Sequence, residues 1–224
     1  MKTPRYSLRA LAALLRYPDA GLREKLAGLV AAIDDEAVLS AGRRSELRAF
    51  AADLARLDPM QVEARYVETF DRGRSTSLHL FEHVHGDSRD RGPAMIDLVQ
   101  TYEKAGLCLG PDELPDHLCV VLEFASTQPA GVARSFLAEM AHILAAVFSA
   151  LLKRGSPYAA AVAAVLELAG EKVQPVPFEA DESIDDSWGE PEAFSGCSTR
   201  GQARPGDPQP IHIVRKTVSQ GVPA

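Results

Sequence analysis

Residues 132–151 read VARSFLAEMAHILAAVFSAL. Phe136, Leu137, Met140, Ile143, Leu144, Val147, Phe148 and Leu151 recur at steps of three and four, the spacing of one helical face, and alanines fill much of the remaining surface. A surface helix keeps one polar side, and this segment has almost none. Burial on nearly every side is therefore expected. The pattern predicts one helix over 131–154 at the centre of an all-α bundle, with no cofactor implied.

Outward from this segment, helical punctuation is dense. Thr3-Pro4, Asp58-Pro59 and Ser156-Pro157 each place an N-cap residue before a proline suited to the first helical position, and Gln61 completes a capping box with Asp58. Further helices are predicted at 4–16, 20–33, 41–56, 59–71, 78–84, 93–106, 116–127 and 157–170. The apolar sets Met95-Ile96-Val99-Tyr102 and Leu118-Val121-Leu122-Ala125 are read as core packed on the central helix. Strand formers are scarce, so the fold class is all-α, a single-domain bundle of eight to nine helices over 1–172. Beyond it, 173–224 holds seven of the fifteen prolines and reads as an acidic, proline-rich, largely disordered tail. Within the tail only Trp188, Phe194 and the run at 211–214 offer groups that can dock.

The formal charge of -7 is concentrated in 179–192, which contains seven acids and no Lys or Arg, so the rest of the chain sums to zero. A basic footprint for nucleic acid is missing, whereas an acidic face favours basic peptides. No apolar run approaches the roughly 20 residues of a membrane span, and the first residues lack a cleavable leader pattern. A cytoplasmic protein without membrane insertion is expected. The three cysteines, Cys108, Cys119 and Cys197, are far apart and form no C-x-x-C pair; they read as reduced thiols, two of them in the core.

Residues 79–92 read HLFEHVHGDSRDRG, and His79, Glu82 and His83 match the H-x-x-E-H signature of inverted zinc proteases. Such a zinc hydrolase needs a third ligand on an α/β scaffold, for which this chain supplies no strands, so no metal site is assigned and the hydrolase stands as the alternative. The structural reading makes Ser75 or Ser77 the cap of a short helix that Gly86 ends in the left-handed conformation, with Asp87, Ser88 or Asp90 capping the next. Arg72, Arg74, Arg89 and Arg91 among Asp71, Glu82, Asp87 and Asp90 predict loops locked by Arg–carboxylate pairs. Asp87, Arg89, Asp90 and Arg91 form the core of that polar wall.

The run YVETFDRGRSTSLHLFEHVHGDSRDRGPAMIDLVQTYEKAGL at 66–107, followed by ELPDHLCVVLEF at 113–124, resembles the NarJ family of nitrate reductase assembly chaperones. ELPDHL is also similar to the E…P-x-D-H signature of redox-enzyme maturation chaperones that bind leader peptides. Pro93 stands where a glutamine is usual, and Cys119 where a proline is usual. The resemblance implies a non-enzymatic holdase, without a cofactor of its own. Its client would be the apo catalytic (alpha) subunit of respiratory nitrate reductase, bound through the N-terminal leader-like segment and kept competent for molybdenum cofactor insertion before membrane docking. A positively charged amphipathic helix in an apolar, carboxylate-rimmed groove is the chemistry that fits. The expected contacts are Tyr66 and Phe70 as groove or core, Glu82, Glu113 and Asp116 as acidic rim, and His83 and His117 as polar edge. Asp116 is read as the cap of the helix it begins; His117 is either a local cap or a titrating contact. No residue demands dimerisation.

Overall fold

The computed structural model describes residues 3–86, 88–111 and 113–178. Within them lie ten α-helices: α1 Arg5–Leu14, α2 Ala20–Glu36, α3 Ala41–Arg56, α4 Pro59–Phe70, α5 Leu80–His85, α6 Arg91–Lys104, α7 Leu118–Thr127, α8 Ala130–Glu139, α9 Ala141–Lys153 and α10 Ala159–Ala169. A single 3₁₀ turn, Arg74–Thr76, precedes α5, and no strand is formed among the described residues. The described residues all fall within one compact unit, Met1–Asp181. Asp87 and everything from residue 179, including Trp188, Phe194, Cys197 and 211–214, lie outside the described residues.

Side-chain caps fix several helix starts. Asp19 accepts from the Leu22 amide (2.8 Å), Ser40 from Arg43 (3.3 Å) and Asp58 from Met60 (3.0 Å), each satisfying a donor that the first helical turn leaves without an internal partner. Asp58-Pro59 behaves as its sequence predicts. The other two proline signals do not: Pro4 itself occupies the N-cap position of α1, and α10 begins two residues after Pro157 with no side-chain cap.

The centre of the bundle is α10. Ala161, Val162, Ala163, Ala164 and Val165 are fully buried, and the helix packs against α9, α8, α3 and α1. Its alanines give it a thin cross-section, so four neighbours can approach closely. The segment at 131–154 is instead two helices, α8 and α9, bent by 66° at Met140. At the bend the Met140 amide bonds the Leu137 carbonyl and the Ile143 amide bonds that of Met140, i→i−3 contacts that tighten the chain and interrupt the α ladder. No proline or glycine marks the break. Together α8 and α9 have the length and apolarity of a membrane span, but they are bent and bury Leu137, Leu144, Val147 and Leu151 in the core; no single described helix is long and apolar enough to cross a membrane.

The α7 set is core as predicted, with Leu118, Val121, Leu122 and Ala125 all inaccessible. The face of α6 is rotated from its prediction: Leu98 and Tyr102 are buried, whereas Ile96 is 58% exposed. Tyr102 sets this orientation by donating to the Pro115 carbonyl at 2.8 Å. Of the described cysteines, Cys119 is buried and Cys108 exposed. After Gly170, where φ is +84°, the chain turns back on the bundle: Val173 packs against the core and the Val176 amide donates to Ser149 Oγ at 2.8 Å.

Candidate functional site

The conspicuous sequence between α4 and α7 folds around one buried carboxylate. Asp116 is 0% exposed. Its Oδ2 accepts from the Phe81 amide in the first turn of α5 (3.2 Å) and faces Arg91 Nη2 (3.5 Å), while Oδ1 lies 3.5 Å from His79 Nδ1. The same guanidinium reaches Glu82 Oε1 at 3.3 Å, so Arg91 bridges two carboxylates. Ser77 Oγ donates to Glu82 Oε2 (2.6 Å), and His83 Nε2 donates to the Ser77 carbonyl (2.9 Å). An isolated antiparallel bridge joins His79 to His117: the Leu80 amide bonds the Asp116 carbonyl and the Leu118 amide bonds that of Leu78.

Electrostatics follow this geometry. The Asp116 contact holds the His79 imidazolium and raises its pKa above the usual histidine value against the opposing effect of burial. Burial alone would raise the Asp116 carboxyl; His79, the Phe81 amide and Arg91 outweigh it, and the net shift is downward. His117 goes the other way, to about 4, because burial penalises its charged form and the neighbouring His79 adds repulsion. Its Nδ1 accepts from the Cys119 amide at 3.3 Å, making His117 the cap of α7.

These positions correct some expectations and decide between alternatives in others. Asp116 is no rim residue: it is sealed inside and serves the start of α5, while His117 caps α7. Tyr66 and Phe70 are core, stacked on each other (4.8 Å between centroids) and on Tyr158, with the Tyr66 hydroxyl donating to the Leu15 carbonyl at 2.9 Å. Of the polar wall, Arg91 does the locking; Arg89 and Asp90 make no ion pair among the described residues. Ser77 holds Glu82 and the His79 amide instead of capping α5, and Asp90 precedes α6 without a side-chain cap. The zinc geometry is not formed. His79 has extended backbone (ψ 97°) ahead of α5, which takes it out of helical register with His83, and its Nδ1 is turned to Asp116. Among the described residues no three metal-binding side chains converge.

Two concavities flank this node. Arg16, Tyr17, His79, Glu113, Leu114 and His117 line a hollow of about 570 Å³, where Arg16 pairs with Glu113 (3.5 Å) and with the adjacent Glu123 (2.7 Å). The second is an apolar trough of about 750 Å³ between α5, α6, α7, α8 and α9. Phe81, Leu98, Phe124, Phe136, Met140 and Ile143 form its apolar lining, with Val84 and Val132, each 52% exposed, at its edges. Glu82 and Arg91 hold α5, and α5 supplies one wall; the bend at Met140 turns α8 and α9 into two more. Sequence reasoning missed this trough because Phe136 and Met140 read as core of a straight helix. The available signal was Val132 and Phe136, one turn apart and off the Ala133–Leu137 face that is buried.

In build this is an all-α protein with an open apolar trough walled by helices. The nitrate reductase delta subunit family matches residues 19–164. The chain is 44% identical over 160 residues to the nitrate reductase molybdenum cofactor assembly chaperone NarJ of Escherichia coli K12, covering 71% of this chain and 68% of that protein. It is 41% identical over 166 residues to the probable chaperone NarW of the same strain (74% and 69%), and 33% identical over 150 residues to the probable NarJ of Bacillus subtilis 168 (67% and 80%). The chain belongs to the nitrate reductase delta subunit family, the NarJ assembly chaperones.

Proposed function

We propose that this chaperone binds the apo catalytic subunit of respiratory nitrate reductase in the cytoplasm, taking up its N-terminal leader-like segment as an amphipathic helix in the α5–α9 trough. Holding that segment keeps the subunit competent for molybdenum cofactor insertion and delays its docking to the membrane subunit. The names of the relatives support the client and the cofactor step. The trough is the single observation that carries the binding mode: open, walled by helices, aromatic at its base and edged with exposed valines. The action is non-covalent and the chain is not an enzyme.

On this reading the motif residues act at one remove. Glu82, His83 and Asp116 fix α5, which presents Phe81 and Val84 to the client, while Glu113 and His117 belong to the separate hollow. A pull-down of the apo catalytic subunit, with and without its N-terminal segment, tests the proposal. Retention of the full subunit and loss of the truncated one is expected; equal retention of both would refute binding through that segment.

A further inference from the structure

We propose that Asp97 on α6 and Glu139 at the end of α8 are specificity-determining residues, selecting a client helix that carries cationic side chains beside its apolar stripe. This rests on the trough being the client's seat and adds which two carboxylates read the positive charge expected of that client. No lysine or arginine lines the trough. The guanidinium groups around it are committed elsewhere: Arg91 to Glu82 and Asp116, and Arg134 of α8 toward the Ala169 carbonyl at the end of α10 (3.4 Å).

Asp97 and Glu139 line the trough, are exposed, and pair with no cation among the described residues. Some surface acids of this chain pair, Asp34 with Arg48 (2.7 Å), Asp53 with Arg56 (3.2 Å) and Glu123 with Arg16 (2.7 Å). Others, such as Glu68 and Glu103, make no ion pair among the described residues; what sets Asp97 and Glu139 apart is their place on the trough. The positions one turn away from Asp97 are Pro93, Ala94, Gln100 and Thr101, so α6 offers no cation to its own carboxylate. Glu139 is the last residue of α8, where the free carbonyls already carry partial negative charge and a carboxylate is unfavourable. Two uncompensated carboxylates on facing helices of an apolar trough complement a cationic amphipathic helix and repel an anionic one.

Three synthetic amphipathic peptides with one common apolar stripe, flanked by lysine, glutamine or glutamate, test this on the full chain by titration calorimetry at low salt. The parent should bind the lysine peptide about tenfold more tightly than the glutamine peptide, the scale of two partly screened ion pairs, and the glutamate peptide least. The double variant Asp97→Asn, Glu139→Gln should bind lysine and glutamine peptides within about twofold of each other. Undiminished preference for lysine in the double variant, or none in the parent, would overturn the assignment. Failure of the trough reading has its own signature: Val84→Arg, at an exposed edge position, would leave binding of all three peptides unchanged.

Discussion

His117 should make the fold sensitive to acid, and a single substitution should remove that sensitivity. Its folded pKa is about 4, whereas an unfolded chain returns it to roughly 6.5. A depressed histidine resists protons in the folded state, so the stability it confers is present above about pH 6.5 and is lost as pH falls toward 4. Integrating one such group gives a loss of about 2 kcal/mol between about pH 7 and about pH 5, approaching about 3 kcal/mol at lower pH. His79 has the opposite sign: its raised pKa adds stability that is full below its unfolded value and lost as pH rises through the folded one. Asp116, lowered, loses its contribution only below the carboxylate range. Asparagine at 117 keeps a good N-cap acceptor for the Cys119 amide and does not titrate. Urea unfolding followed by far-UV circular dichroism, at about pH 7 and about pH 5, compares parent and His117→Asn. The variant should lose about 2 kcal/mol less than the parent between the two conditions. Equal losses would refute the burial argument for His117.

Arg91→Met should strand the buried Asp116 carboxylate with His79 and one amide, destabilising the protein by about 2–4 kcal/mol, and adding Asp116→Asn should recover part of that loss; denaturant midpoints measure both. Gly170→Ala should cost about 1–2 kcal/mol, or several degrees in melting temperature, because φ is +84° and the added methyl overlaps the Arg134 side chain; scanning calorimetry reads it.

Much of the helical frame was legible because local chemistry wrote it. Asp19, Ser40 and Asp58 begin helices with their own side chains, and the α7 apolar set lies on the face its spacing gives. The centre was not legible. Both 132–151 and α10 are apolar nearly all round, and composition alone ranks larger side chains above alanine, although alanine is what lets four helices crowd one axis. The bend at Met140 left no trace either: Ala133, Leu137, Met140, Leu144, Val147 and Leu151 keep a 4-3-4-3-4 spacing that a straight helix satisfies equally well. That bend shapes the trough, so its lining residues passed for core. Asp116 misled for a related reason, since a carboxylate reads as surface until a long-range arginine, Arg91, is brought to it by the fold. The family motifs pointed to the segment that forms α5 and to residues that hold it in place, one layer behind the lining of the trough.

The most direct test of the central claim places a photo-crosslinking amino acid at Val84, at Val132 or at Leu114, exposed positions in the trough and in the separate hollow. Each variant is irradiated with the apo catalytic subunit. Crosslinks to the subunit's N-terminal segment from 84 and 132, and none from 114, are the expected result. A complex that forms yet crosslinks to that segment only from 114 would contradict the account.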